Sequence, residues 1–139
     1  MNLFFDTNVL LDVVAERRPF LDDSREALSL GRQEGFVVMS ADISFCTIAY
    51  VMRSSLRGES LREVLRVLRR YVQIVSIGGK AVSEAIESFG VDFEDEVQRI
   101  CAEENGADVI ITHDKDGFEN SHIPVMTPTE FLDWQEQEK

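Results

Sequence analysis

Long apolar runs are missing from this 139-residue chain, and no segment approaches the roughly 20 apolar residues that a membrane-spanning helix needs. The opening Met1-Asn2-Leu3-Phe4-Phe5-Asp6 has no basic flank and meets an acid too soon for a secretory signal, so a cytoplasmic location with no membrane attachment is the expectation. Cysteine is scarce. Cys46 and Cys101 lie far apart, each within an apolar helical pattern, which reads as two buried free thiols rather than a disulfide. His113 and His122 have no Cys or second His at ligand spacing, which argues against zinc. Phosphate-cradling glycine loops are also absent: Gly78-Gly79-Lys80 lacks the frame of a P-loop, and no G-x-G-x-x-G follows any apolar run. Positive charge is in short supply, with 14 Lys and Arg against 26 Asp and Glu. The net charge of −12 argues against a protein that binds nucleic acid through its overall field.

What remains is a chain with 44% hydrophobic residues, enough for a real core, and with no repeat, linker or low-complexity run. A single domain over residues 1–139 is expected. Leu3-Phe4-Phe5 reads as a strand, followed by a helix from Thr7 to Ala15 with Val9, Leu10, Val13 and Val14 at helical spacing and a break at Arg17-Arg18-Pro19. A helix over Asp22–Glu34 stops at Gly35, and Phe36 to Met39 is a second strand. Helices over Asp42–Leu56 and Ser60–Tyr71 are separated by Gly58, with Ser60-Leu61-Arg62-Glu63 at capping-box spacing. Val72 to Ile77 is a third strand closed by Gly78-Gly79, and a helix spans Lys80–Phe89. A further helix covers about Phe93 to Asn105 and stops at Gly106; Asp108–Thr112 and Pro124–Met126 are the last strands. Thr127-Pro128-Thr129-Glu130 starts a final helix whose tail, Gln135 to Lys139, is expected to fray. Strands alternating with helices predict an α/β fold, a three-layer α/β/α domain around a central parallel β-sheet.

In such a fold, sites gather outside the carboxyl ends of the strands, where the following helices begin. Asp6 ends the first strand, Asp42 follows the second, Asp92 and Asp95 open the helix at 93, and Asp114 and Asp116 follow the fourth strand. All are therefore expected at one edge. Each acid alone has a plainer local role, as a helix cap or a turn residue. Gathered together they would repel one another unless a cation lay between them, and a hard divalent ion such as Mg²⁺ or Mn²⁺ suits carboxylate oxygens. Such an ion activates water and stabilises charge on a phosphodiester. Against the acidic background, the segment from Arg53 to Arg70 holds six arginines and two acids. That +4 segment, with Arg53, Arg57, Arg62 and Arg66, reads either as an RNA-backbone contact or as a solvated face with local ion pairs to Glu59 and Glu63.

At these residues the chain resembles the PIN-domain nucleases, which include the VapC-type toxins of bacterial toxin–antitoxin systems. The stretches that carry the likeness are Phe5-Asp6-Thr7-Asn8-Val9-Leu10-Leu11-Asp12, Asp92-Phe93-Glu94-Asp95-Glu96-Val97-Gln98, Gly106 through Phe118, and Pro128-Thr129-Glu130-Phe131-Leu132. The resemblance spans the whole chain in order. It implies that Asp6, Asp95 and Asp114 bind Mg²⁺ or Mn²⁺ and carry the chemistry, that Thr112 helps hold the site, and that Asn8 shapes the first loop. It implies hydrolysis of RNA, frequently by a homodimer, with a small antitoxin as partner in toxin members. Two positions depart from the pattern. Thr47 falls where the family usually has a glutamate, which predicts weaker metal binding or a catalytically weakened or inactive module that binds RNA or a protein. Gly117 stands where many members carry an acid, a change expected to matter less. A phosphatase of the haloacid dehalogenase type is the remaining alternative, since an apolar strand ends in Asp-x-Asn, but Asn8 occupies the place of its second aspartate.

Overall fold

The computed structural model describes residues 1–139. Five short strands form one sheet: β1 (Asn2–Phe5), β2 (Val37–Ala41), β3 (Gln73–Val75), β4 (Val109–Ile111) and β5 (Val125–Met126). Their order is β3-β2-β1-β4-β5, and every neighbouring pair is parallel. The helices are α1 (Thr7–Val14), α2 (Leu21–Ser29), α3 (Asp42–Val51), α4 (Gly58–Arg69), α5 (Gly78–Ile86), α6 (Phe93–Glu104) and α7 (Pro128–Gln137). The expected three-layer α/β/α architecture is what the chain forms.

The alternation of side chains along β1 explains the two layers. Leu3 and Phe5 face a core shared with Val9 and Leu10 of α1, Leu28 of α2, Ile48 of α3, Leu68 of α4 and Phe131 of α7. Phe4 faces the other way, into a core with Met39, Ile110 and, from α6, Cys101 and Ala102. Leu3, Phe4 and Phe5 are all fully buried, and each contributes about 1.5–3 kcal/mol of hydrophobic stabilisation. A strand buried on both faces needs this continuous apolar run rather than an alternating one.

Several element boundaries differ from the sequence reading. The second helix ends at Ser29 and tightens into a 3-10 turn over Leu30–Arg32 instead of continuing to Glu34. The third helix stops at Val51, not Leu56, and residues 52–55 form turns. Gly58 and Gly78-Gly79 open helices rather than separate or terminate elements. Gly58 and Gly78 have φ of +57° and +80°, and at Gly58 that left-handed backbone swings the extended chain at Arg57 into the first turn. The box at Ser60 through Glu63 is not made. Ser60 instead sits three residues into α4, where its hydroxyl donates to the Arg57 carbonyl at 2.8 Å and accepts the Arg57 amide at 3.4 Å. The box at Thr127 and Glu130 does form: the Thr127 hydroxyl accepts the Glu130 N–H at 3.1 Å, and the Glu130 carboxylate accepts the Thr127 N–H at 2.9 Å. The tail stays helical to Gln137. Cys101 is buried as expected, but Cys46 is exposed, because α3 buries only Ser44 and Ile48 although it is apolar on most sides. No helix is long and apolar enough to cross a membrane.

Candidate metal centre

Strand register builds the site. Phe5 pairs with Ile111, so the next residues, Asp6 and Thr112, emerge side by side at the carboxyl edge. The Asp6 amide extends the ladder by donating to the Ile111 carbonyl at 2.9 Å. Beyond the ladder the side chains take over. The Thr112 hydroxyl donates to Asp6 Oδ2 at 2.8 Å, and its oxygen accepts the Asp114 N–H at 3.0 Å. Thr112 therefore fixes the spacing between the loops that carry Asp6 and Asp114. Asn8 Nδ2 donates to the same Asp6 oxygen at 3.2 Å. Asp6 occupies the N-cap position of α1 without capping it through its side chain.

Asp95 arrives from α6. Asp92 caps that helix by accepting the Asp95 N–H at 3.0 Å. Opposite, Gly117 lies so close that a β-carbon there would overlap the Asp95 carboxylate. The acid absent from position 117 thus has no room against Asp95 as it stands, and the departure has more structural weight than the sequence suggested. Asp6, Asp92, Glu94, Asp95 and Asp114 all line one hollow of about 290 Å³, together with Asn8 and Thr47.

The electrostatics follow from that crowding. Burial pushes the Asp95 carboxyl up to about 7, and the neighbouring charges of Asp6, Asp92, Asp114 and Glu94 push in the same direction. Asp6 is also raised, chiefly by burial, although hydrogen bonds such as that from Thr112 pull it back. Five acids line the hollow against one basic side chain, so negative charge there is in excess. An all-oxygen, anionic donor set of this kind fits Mg²⁺ or Mn²⁺ rather than a softer metal. The donors surround the hollow without closing on it: no three His, Cys, Asp or Glu side chains are gathered tightly enough to hold one ion.

Not every acid at the edge takes part. Asp42 does not line this hollow; its carboxylate accepts the Ile43 N–H at 2.8 Å, and it borders a separate apolar depression with Ile43, Ile77 and Phe93. Asp116 sits in the 3-10 turn Lys115–Phe118, exposed, and does not line the hollow. Thr47 borders both depressions.

Three participants carry no strong mark in the sequence. Gln98, one turn beyond Asp95 on α6, is buried and accepts the Thr7 N–H through Oε1 at 3.3 Å, which ties α6 to α1. Ser44 and Thr7 share a hydroxyl–hydroxyl hydrogen bond of 2.6 Å that ties α3 to α1. Arg17 is the sole basic side chain lining the hollow. The i,i+3 spacing of Asp95 and Gln98 is a readable signal; nothing local marks Ser44 or Arg17. Behind the site, Arg99 grips buried Glu96 with two N–H donors at 3.2 and 3.0 Å and reaches Glu103 at 3.0 Å. Glu103 in turn accepts the His122 amide at 2.8 Å, which locks α6 to the loop before β5.

The arginines at 53–70 lie apart from the hollow. Arg53 stacks on Tyr50 with its guanidinium 4.0 Å from the ring centroid, and Arg62 donates to the Gly58 carbonyl at 3.1 Å. Arg66 pairs with Glu59 at 2.6 Å, seven residues back along α4.

The fold has known relatives. Residues 2–116 match the family model of the PIN domain. The chain is 27% identical over 136 residues to Ribonuclease VapC1 of Aquifex aeolicus (strain VF5), covering 94% of this chain and 93% of that protein. Among solved structures, VapBC2 from Rickettsia felis bound to a DNA fragment from its promoter superposes with a TM-score of 0.69 at 15% identity, over 91% of this chain and 97% of that one. A toxin–antitoxin complex from Klebsiella pneumoniae gives 0.67 at 18% identity, over 91% and 97%.

Proposed function

The chain belongs to the PIN-domain family, and from that premise we propose that it is a metal-dependent endoribonuclease, the toxin of a toxin–antitoxin pair. The observation that carries the reading is the shared hollow of Asp6, Asp95 and Asp114, in which burial and then the surrounding like charges push the Asp95 carboxyl up to about 7. In this reading those three carboxylates, which do not close on one point, would draw together on Mg²⁺ or Mn²⁺, and the ion would supply Lewis acidity toward a scissile RNA phosphate. Thr112 keeps Asp6 and Asp114 at fixed spacing, and Asn8 orients Asp6. Asp92 holds the first turn of α6 so that Asp95 faces the hollow. The starts of α1 and α6 lie at this edge and favour a bound anion. In this reading Arg53, Arg57, Arg62 and Arg66, outside the hollow, make a separate contact with the RNA backbone.

Two partners fit the surface. Val13, Val14, Leu28, Val64, Val67 and Tyr71 line an apolar groove of about 380 Å³ between α1, α2 and α4, which suits an antitoxin helix. Ile86, Phe89 and Val91, at 64%, 97% and 94% exposure, suit a homodimer contact.

The test is cleavage of single-stranded RNA with and without Mn²⁺. Wild type is expected to cleave only with the ion. Asp95→Asn is expected to lower kcat by about 10²–10³, the scale of losing one preorganised electrostatic group, while remaining folded. Unchanged cleavage by Asp95→Asn would remove the site.

Thr47 at the edge of the hollow, together with the open arrangement of the acids, favours a second reading: a catalytically weakened PIN module that binds RNA or a protein partner. Calorimetry separates the two, since the module binds no Mn²⁺ at millimolar concentration.

A further inference from the structure

A second hollow, of about 330 Å³, opens beside the carboxylates between the start of α2 and the start of α7. Its walls include Pro19, Phe20 and Asp23 on one side and Thr127 and Thr129 on the other, with His113 between them. His113 separates Thr112 from Asp114 in the chain, so this hollow and the carboxylate site share one loop. We propose that it is a subsite for one unpaired nucleobase of single-stranded RNA, next to the phosphate that is cut. The proposal rests on the ribonuclease reading and names what that site selects.

Phe20 and His113 form an aromatic platform, with ring centroids 4.5 Å apart and planes tilted by 44°. Phe20 keeps 42% of its surface exposed, an apolar ring held in water at the mouth of a polar site. The platform is backed by packing. His113 Nε2 lies 3.5 Å from Oδ2 of Asp12, which is fully buried and accepts the Ser24 hydroxyl at 3.0 Å. Unpaired RNA bases are recognised by stacking on such rings and by hydrogen bonds to their edges.

The polar wall supplies those edge contacts. The Thr127 oxygen already accepts the Glu130 N–H, which leaves its O–H to donate. Asp23 accepts the Thr129 hydroxyl and retains lone pairs for a base N–H. A donor and an acceptor facing one hollow match the edge of a base. The Asp23 carboxylate in the wall repels a phosphate at the same place. A base is therefore the better occupant. The volume lies at the small end of the range for ligand sites, about 300–1,000 Å³.

The experiment compares wild type, Phe20→Ala and Phe20→Trp on a single-stranded RNA and on the same RNA made abasic on either side of the cut. On the intact RNA, Phe20→Ala is expected to raise KM about tenfold, the scale of losing one stacked base, and to leave kcat near wild type. Phe20→Trp restores KM, and all three proteins treat the abasic RNA alike. An equal loss on abasic RNA, or no change in KM on intact RNA, overturns the subsite. If wild type cleaves no RNA at all, the ribonuclease reading fails separately. The subsite is then read from binding of single-stranded RNAs that each carry one 2-aminopurine. Fluorescence quenching that disappears in Phe20→Ala supports it, and quenching that is absent or independent of Phe20 overturns it.

Discussion

The carboxylate hollow and α4 carry opposite charge, and they differ most in how that charge meets water. Asp6 and Asp95 keep 2% and 8% of their surface, whereas the side chains of Arg66 and Glu59 keep 49% and 66%. In the hollow, like charges interact through a poorly screened medium and add to the burial that raises Asp95 to about 7. Between Arg53 and Arg70, on and around α4, six arginines near two acids sit in solvent, where salt screens them. Burial, more than the number of charges, therefore decides which cluster stores unfavourable energy that a ligand can relieve.

The sharpest break in that comparison is a pH titration of stability without metal. Asp95 rises from 3.8 to about 7 on folding, so the folded chain holds this proton more tightly than the unfolded one. Its stabilising contribution is complete below about pH 4 and is lost as the pH rises through about 7. The expected loss is about 2 kcal/mol once solvent screening is allowed for, measured by urea unfolding across that window. Asp95→Asn and added Mn²⁺ should each flatten the slope; a slope that survives both would place the strain elsewhere.

A smaller effect tests the departure at Thr47. Thr47→Glu adds a carboxylate to the border of the hollow and is expected to tighten Mn²⁺ binding about tenfold, or ~1.4 kcal/mol, by calorimetry. Equal affinity in the two proteins would show that position 47 does not reach the ion.

The least costly change to the fold is on α4. Replacing Arg62 and Arg66 by glutamate should alter stability by less than about 1 kcal/mol, because the Arg66–Glu59 pair is exposed. The same double variant should weaken RNA binding and reduce the slope of log affinity against log salt by about 0.7 for each phosphate that is no longer neutralised. If affinity and slope both hold, the arginines form a solvated face and nothing more.

Much of the site is legible because its acids sit at transitions that sequence marks well. Leu3-Phe4-Phe5 ends abruptly in Asp6, and Val109-Ile110-Ile111 leads through Thr112 to Asp114. Asp92 and Asp95 sit at cap and third position, which fixes their relation before any tertiary contact. Sequence and structure part where a residue has two local meanings. Glycine both ends and begins helices with the same left-handed φ, +73° at Gly106 after α6 and +57° at Gly58 at the start of α4, so only the path of the folded chain shows which role applies. Cys46 reads as buried because α3 is apolar on most sides, yet only part of that helix meets the sheet.

The sequence by itself determined the alternation of strands and helices and the edge at which the acids gather, because side-chain periodicity and helix starts are local properties. Only the tertiary structure decided which acids share a hollow. The order β3-β2-β1-β4-β5 makes β1 and β4 neighbours, so Asp6 and Thr112 meet, while Asp42 turns to its own helix start and Asp116 lies outside. Strand order is set by long-range packing of whole layers, and no short stretch of residues encodes it.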